Sequence, residues 1–169
     1  MLQNLHTHTT YCDGKDSPLH MLNTAISKGF VSLGFSSHAQ TSIKDTCEMQ
    51  RIDSYVKEIR ALQKKFSKET KVFLEIELDL YSHGLIDPKL FDYSICSVHY
   101  SILPSGKIIS YDYSSEITEK YIKEDFSGDG LSYARSYYEN VAKLTPLTDR
   151  CFVGHFDLVS RKRIERIRL

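Results

Sequence analysis

The sequence predicts an α/β fold wound around a mainly parallel sheet, and three observations carry that prediction. Strand-like and helix-like segments alternate along the 169 residues, as βαβ connections require. No repeat, low-complexity block or linker divides the chain, so residues 1–169 read as one domain. Five of the seven histidines stand at the C-terminal end of a strand-like segment, the edge where loops converge in parallel α/β folds.

Leu2–His6 is the first strand candidate. Ser17-Pro18 supplies an N-cap followed by proline at the first helical position, and Leu19, Leu22, Ala25 and Ile26 form an apolar stripe that stops at Gly29. Phe30–Ser36 reads as a second strand. Ile52, Tyr55, Val56, Ile59, Leu62 and Phe66 then recur at helical spacing. Lys71–Leu80 and Tyr93–His99 are the third and fourth strands, joined by a loop-like link. Ser101–Gly130, dominated by serine, tyrosine, glycine and charge, reads as a long loop of the kind that is functional or mobile. Leu131–Leu144 is a helix with Tyr137, Tyr138 and Val141 on one face, and Cys151–His155 is a fifth strand.

Composition narrows the function classes. With 41% hydrophobic and 26% charged residues the chain is globular. Lys+Arg and Asp+Glu are 22 each, so no overall basic field points to nucleic acid. The balance is uneven: 160–169 carries five basic residues against Glu165, leaving 17 basic and 21 acidic groups in 1–159. The N-terminus lacks a charged n-region and an apolar h-region, and no apolar run reaches the roughly 20 residues of a membrane span. Cys12, Cys47, Cys96 and Cys151 never form a CxxC pair and are expected as reduced thiols. A soluble, cytoplasmic protein is expected, with no membrane partner. No GxSxG elbow and no phosphate-binding glycine loop is present.

The polar residues point to metal. His6 and His8, at i and i+2 on an extended segment, face the same way and can reach one ion. In Glu75-Ile76-Glu77-Leu78-Asp79-Leu80 the alternation puts three acids on one face. If helices cover the apolar side, those acids point inward, where they stay ionised only beside cations. Carboxylates and neutral imidazoles together describe a site for several divalent ions, with zinc, iron or manganese favoured over calcium or magnesium. Asp13, in Tyr11-Cys12-Asp13-Gly14, can return a carboxylate to the same mouth. Asp-Gly is also an ordinary turn dipeptide, and spacing leaves both roles open.

The motifs His6-Thr7-His8-Thr9 with Tyr11-Cys12-Asp13-Gly14, Gly34-Phe35-Ser36-Ser37-His38, Glu75-Ile76-Glu77-Leu78-Asp79, Ser97-Val98-His99-Tyr100 and Gly154-His155-Phe156-Asp157 follow one another in order. Together they resemble the PHP (polymerase and histidinol phosphatase) superfamily, and within it the histidinol-phosphate phosphatases, over the chain to about Val159. The resemblance implies a PHP-type distorted (β/α)7 barrel holding two to three divalent metal ions that hydrolyse histidinol phosphate in histidine biosynthesis. By position, it implies that His6 and His8 bind a first metal and that Glu77 bridges it to a second. His99 and His155 complete the second, and Asp13 and His38 hold the third. His6, His8, Glu77, His99 and His155 would act in catalysis through a metal-activated water. Glu75 and Asp79 are supporting candidates, Arg161 is a candidate phosphate contact, and His20 and His83 read as surface residues.

The chain departs from the family pattern at its other end. An Asp-x-His pair is expected after the last barrel strand, and Phe156–Leu169 contains no histidine. About five of seven strand–helix units are accounted for, in a chain shorter than the roughly 250 residues of a usual barrel. An incomplete barrel leaves an open edge, so a homo-oligomer covering it is an expected partner. Competing readings are another PHP phosphoesterase acting on nucleotides or nucleic acid, and a non-catalytic metal-binding remnant.

Overall fold

The computed structural model describes residues 1–43, 49, 51–144 and 150–161, with only the backbone of Arg161. Strand β1 (Leu2–Asn4) leads into α1 (Pro18–Ser27), where the Ser17 hydroxyl accepts the His20 N–H at 3.4 Å. Leu22 and Ala25 are buried, and Gly29, at φ 77°, turns the chain into β2 (Phe30–Phe35). Helix α2 (Ile52–Lys65) buries Tyr55, Ile59 and Leu62, with Asp53 in its first turn and Lys64 and Lys65 in its last, matching the helix dipole. The buried Tyr55 hydroxyl is shared between the Phe35 and Glu75 carbonyls and so pins α2 to two strands.

Strand β3 (Lys71–Asp79) is followed by 3-10 turns at Leu80–Ser82 and Pro88–Leu90 and then by β4 (Tyr93–Ser97). The expected long loop is corrected here. It holds a hairpin, β5 (Tyr100–Ile102) and β6 (Ile108–Ser110), and a helix, α3 (Ser115–Asp125). Helix α4 (Gly130–Val141), β7 (Cys151–Val153) and the short α5 (Leu158–Arg161) complete the described chain. On α4, Tyr137 and Val141 are buried but Tyr138 is 39% exposed, against the expectation of one shared face. It turns outward to pack on Phe156.

The five strands β1-β2-β3-β4-β7 form one parallel sheet in sequential order, and β5-β6 stand apart as an antiparallel pair. Sequential parallel order is the connectivity of a barrel wall rather than of a doubly wound sheet. The architecture is an open α/β sheet of five parallel strands, as expected of an incomplete barrel. Leu74, Ile76 and Leu78 form the core beneath the helices, while Glu75, Glu77 and Asp79 share the opposite face and are buried too. Tyr111, Tyr133 and Tyr137 extend the same core and seat the hairpin on α4, with Tyr111 and Ser136 hydroxyls 2.8 Å apart and Asn140 donating to Ser101 at 3.0 Å.

The expectation of separate thiols is also corrected: Cys96 and Cys151, brought together by β4 and β7, are joined as a disulfide. Cys12 is free, and Cys47 lies outside the described residues. No helix of the described residues is long and apolar enough to cross a membrane.

Candidate metal centre

Backbone pairing continues past the ends of β1, β2 and β3 and aims their polar residues at one place. The Ser36 N–H donates to the Thr7 carbonyl at 2.8 Å, and the Thr7 hydroxyl donates to the Gly34 carbonyl at 2.6 Å. With Thr7 held against β2, its neighbours His6 and His8 both turn to the inner face. Beyond β2, Glu77 N–H donates to the Ser37 carbonyl at 3.2 Å and Ala39 N–H to the Glu77 carbonyl at 2.8 Å, which sets His38 beside Glu77. The turn after His8 closes through Cys12 and Gly14 N–H groups donating to the Thr9 carbonyl, each at 3.0 Å. Gly14 is required there, because a Cβ would lie 2.4 Å from the His8 backbone. That turn brings Asp13 Oδ1 to 2.8 Å from His8 Nδ1.

Glu77 sits at the middle, 1% exposed. Its Oε2 lies 3.1 Å from His6 Nε2, 3.0 Å from His8 Nε2 and 3.4 Å from His38 Nδ1. Its Oε1 lies 3.4 Å from His99 Nε2 and 3.1 Å from His155 Nε2, and accepts the Ser97 hydroxyl at 2.6 Å. One carboxylate therefore divides five imidazoles between its two oxygens. His38 Nε2 reaches toward Asp13 Oδ2 at 3.8 Å.

The electrostatics follow from this crowding. Burial acts to raise the Glu77 pKa, but hydrogen bonding to His155, His6, His8 and His99 holds it well below the usual carboxylate range. Burial acts to lower His8, yet Cys12, Glu77 and Asp13 push it up to about 11. His99 is likewise pushed up to about 10 by Asp79 and Glu77 against the effect of burial. His38 goes the other way, to about 4, chiefly through burial, with like charge from His99 and His8 adding to it. Neighbouring carboxylates hold charge on His8 and His99, whereas burial leaves His38 neutral.

All seven expected ligands are brought together. Three donor sets have atoms within 4.8 Å of one another: His6, His8 and Glu77; His8, Asp13 and His38; His38, Glu77 and His99. The second set adds His8 to the expected pair, and the third places His38 where His155 was expected, although His155 also faces Glu77. His20 and His83 are exposed, and His20 lies 4.0 Å from Asp16. The Arg161 side chain lies outside the described residues.

Three contributors were given no role by the sequence. Ser97 holds Glu77 Oε1, and Gly154 leaves room for it, since a Cβ there would lie 2.3 Å from the Ser97 hydroxyl. Tyr137 donates its hydroxyl to the His155 carbonyl, where the chain adopts φ 48°. The first two stand at the head of the motifs that carry His99 and His155, which is their sequence signal.

The family model described as PHP domain matches residues 4–168, past the Val159 limit of the motif resemblance. A histidinol-phosphatase of Bacillus subtilis (strain 168) is 25% identical over 177 residues, covering 92% of this chain and 66% of the relative. The DNA polymerase/3'-5' exonuclease PolX of the same organism is 26% identical over 125 residues, 70% of this chain and 22% of the relative. Among solved structures, a putative histidinol phosphatase from Listeria monocytogenes superposes with TM-score 0.68 at 20% identity, over 83% of this chain and 60% of that one. The histidinol phosphate phosphatase from Lactococcus lactis subsp. lactis, complexed with zinc, L-histidinol and phosphate, gives TM-score 0.61 at 18% identity, over 95% and 59%. The chain spans less than two thirds of the length of each of these proteins.

Proposed function

Because this chain belongs to the PHP domain family, we propose that it is a metal-dependent phosphoric monoester hydrolase that converts histidinol phosphate and water to histidinol and phosphate. The observation that supports this reading is the division of the two Glu77 oxygens between five imidazoles at 3.0–3.4 Å. Imidazole nitrogens converging on a buried carboxylate are a donor set for divalent ions, and they fit zinc, iron or manganese. Two to three ions bound there would supply a nucleophilic water of lowered pKa and positive charge for the phosphoryl oxygens.

The chain's own residues divide the remaining work. Glu77 would hold ions on both sides, with His6 and His8 on its Oε2 side and His99 and His155 on its Oε1 side. Asp13 and His38 extend the donor set toward the mouth, where His38 keeps a free lone pair because its pKa lies near 4. Ser97 fixes the rotation of the Glu77 carboxylate through its 2.6 Å bond. Substrate selection falls to the hairpin that begins at Tyr100, directly after His99, and Arg161 is assigned to the phosphate. A cytoplasmic place in histidine biosynthesis accompanies this reading.

Phosphate release by the purified chain loaded with Zn²⁺, Mn²⁺ or Fe²⁺ tests it, comparing histidinol phosphate, nucleoside monophosphates and single-stranded DNA. Chelator-sensitive release, fastest from histidinol phosphate, is expected. Faster cleavage of a nucleotide or of DNA would move the activity to another PHP phosphoesterase. Full metal content with no hydrolysis would leave only a metal-binding remnant.

A further inference from the structure

We propose that Asp79 is a positioning residue that fixes the His99 imidazole with its Nε2 lone pair turned toward Glu77, an inference that rests on the metal-dependent reading above. Asp79 closes β3 on the same face as Glu77 and is 3% exposed. Its Oδ2 accepts the His99 backbone N–H at 2.8 Å and lies 3.3 Å from His99 Nδ1. Its Oδ1 accepts the Tyr81 N–H at 2.9 Å, and its own N–H donates to the Ser82 hydroxyl at 3.1 Å. The carboxylate is held by its own turn, independently of His99.

An imidazole can ligate through either nitrogen, and the group on the other nitrogen decides which. With a carboxylate at Nδ1, that nitrogen keeps its proton and Nε2 is the free donor, 3.4 Å from Glu77 Oε1. The same carboxylate oxygen holds the His99 backbone, so both ends of the residue are fixed. Burial sharpens the constraint, because a carboxylate at 3% exposure is costly without hydrogen bonds. The turn also reaches the substrate side: the Tyr81 hydroxyl accepts the Ile102 N–H at 3.0 Å, tying the hairpin after His99 to the residue Asp79 caps. Asp79 thereby sets the direction of a metal ligand and the seat of the adjoining hairpin together.

Asp79→Asn and Asp79→Ala are compared with Ser82→Ala, which loosens the same turn and leaves the carboxylate in place. Zn²⁺ affinity by competition with a chromophoric chelator is expected to fall 10–100-fold in D79N and further in D79A. In S82A it should fall less than about threefold. The kcat for histidinol phosphate should drop in step while KM stays within about twofold, and the visible absorption of the Co²⁺-loaded chain should change in D79N but not in S82A. In the zinc-loaded wild type, His99 should show a hydrogen-bonded Nδ1–H proton by NMR. Wild-type affinity and cobalt spectra in both Asp79 variants, or an Nε2–H proton on His99, would overturn the proposal, and the NMR arm decides if the variants do not fold. A wild type that binds metal yet leaves histidinol phosphate intact would sink the proposed activity without touching the affinity, cobalt and NMR arms. A wild type that takes up no metal would overturn both.

Discussion

Glu77 is the residue on which the centre depends, since its two oxygens are what the five imidazoles have in common. Glu77→Gln removes the negative charge and turns one acceptor into a donor. Metal affinity is expected to fall by about 100-fold or more, beyond the effect of losing an outer partner, measured by metal content after dialysis. The protons on His8 and His99 set a pH dependence as well. Their pKa values are raised to about 11 and about 10, so each must give up a proton before its nitrogen can ligate. Apparent metal affinity should therefore rise steadily from pH 6 to 9, with protons released on binding in weakly buffered solution; flat affinity across that range would contradict the assignment. The five histidines were legible in the sequence because each stands at the end of a strand-like segment and Glu77 because of the alternation along β3, whereas Asp13, in a turn, was assigned only through the family resemblance. The roles of Ser97 and Gly154 were not, because their relation is a steric fit between two residues 57 positions apart.

At the level of elements, the pairing of β2 and β3 carries a second device. Glu75 is fully buried, neither of its oxygens is within a well-formed hydrogen bond, and burial, with the charge of Asp92 adding to it and the nearby Tyr93 hydroxyl opposing it, pushes its pKa from 4.5 to about 8. The folded chain thus holds a proton that the unfolded chain has released between pH 4.5 and 8, so this residue lowers stability as pH rises through that window. Glu75→Gln should raise the melting temperature by about 3 °C or more at pH 8, with the gap closing by pH 4.5; an equal gain at both pH values would show that the proton is not the cause. Gly34 makes the burial sterically feasible, since a Cβ there would lie 1.9 Å from Glu75 Oε1. Gly34→Ala should cost about 1–3 kcal/mol, most of it recovered in the double variant with Glu75→Ala, as measured by denaturant unfolding. Strands and helices with clear periodicity were readable to within a few residues of their ends, as for Pro18–Ser27 and Lys71–Asp79. The hairpin and α3 were not. Their strands are three residues long, and α3 buries only Thr118 and Ile122 among polar neighbours, so no apolar period rises above the composition.

For the whole molecule, metal and folding are one equilibrium. Each ion bound by the native chain alone adds about 2.7 kcal/mol at a free concentration 100 times its Kd. For a chain of this size that is roughly 5–10 °C in melting temperature. Zinc should raise the calorimetric transition by this amount and a chelator should reverse it; no shift at saturating zinc would mean that the donors do not act as a site in the native state. The parallel sheet was foreseeable from strand–helix alternation, but its sequential order β1-β2-β3-β4-β7 depends on pairings that no single segment records. That order has a temporal consequence. His155, which faces the same carboxylate as His6, leaves the ribosome 149 residues after it. At the usual pace of about 5–20 residues per second, the N-terminal imidazoles wait many seconds for β7. The full donor set therefore forms only after β7 has been made, and cellular metal meets it no earlier.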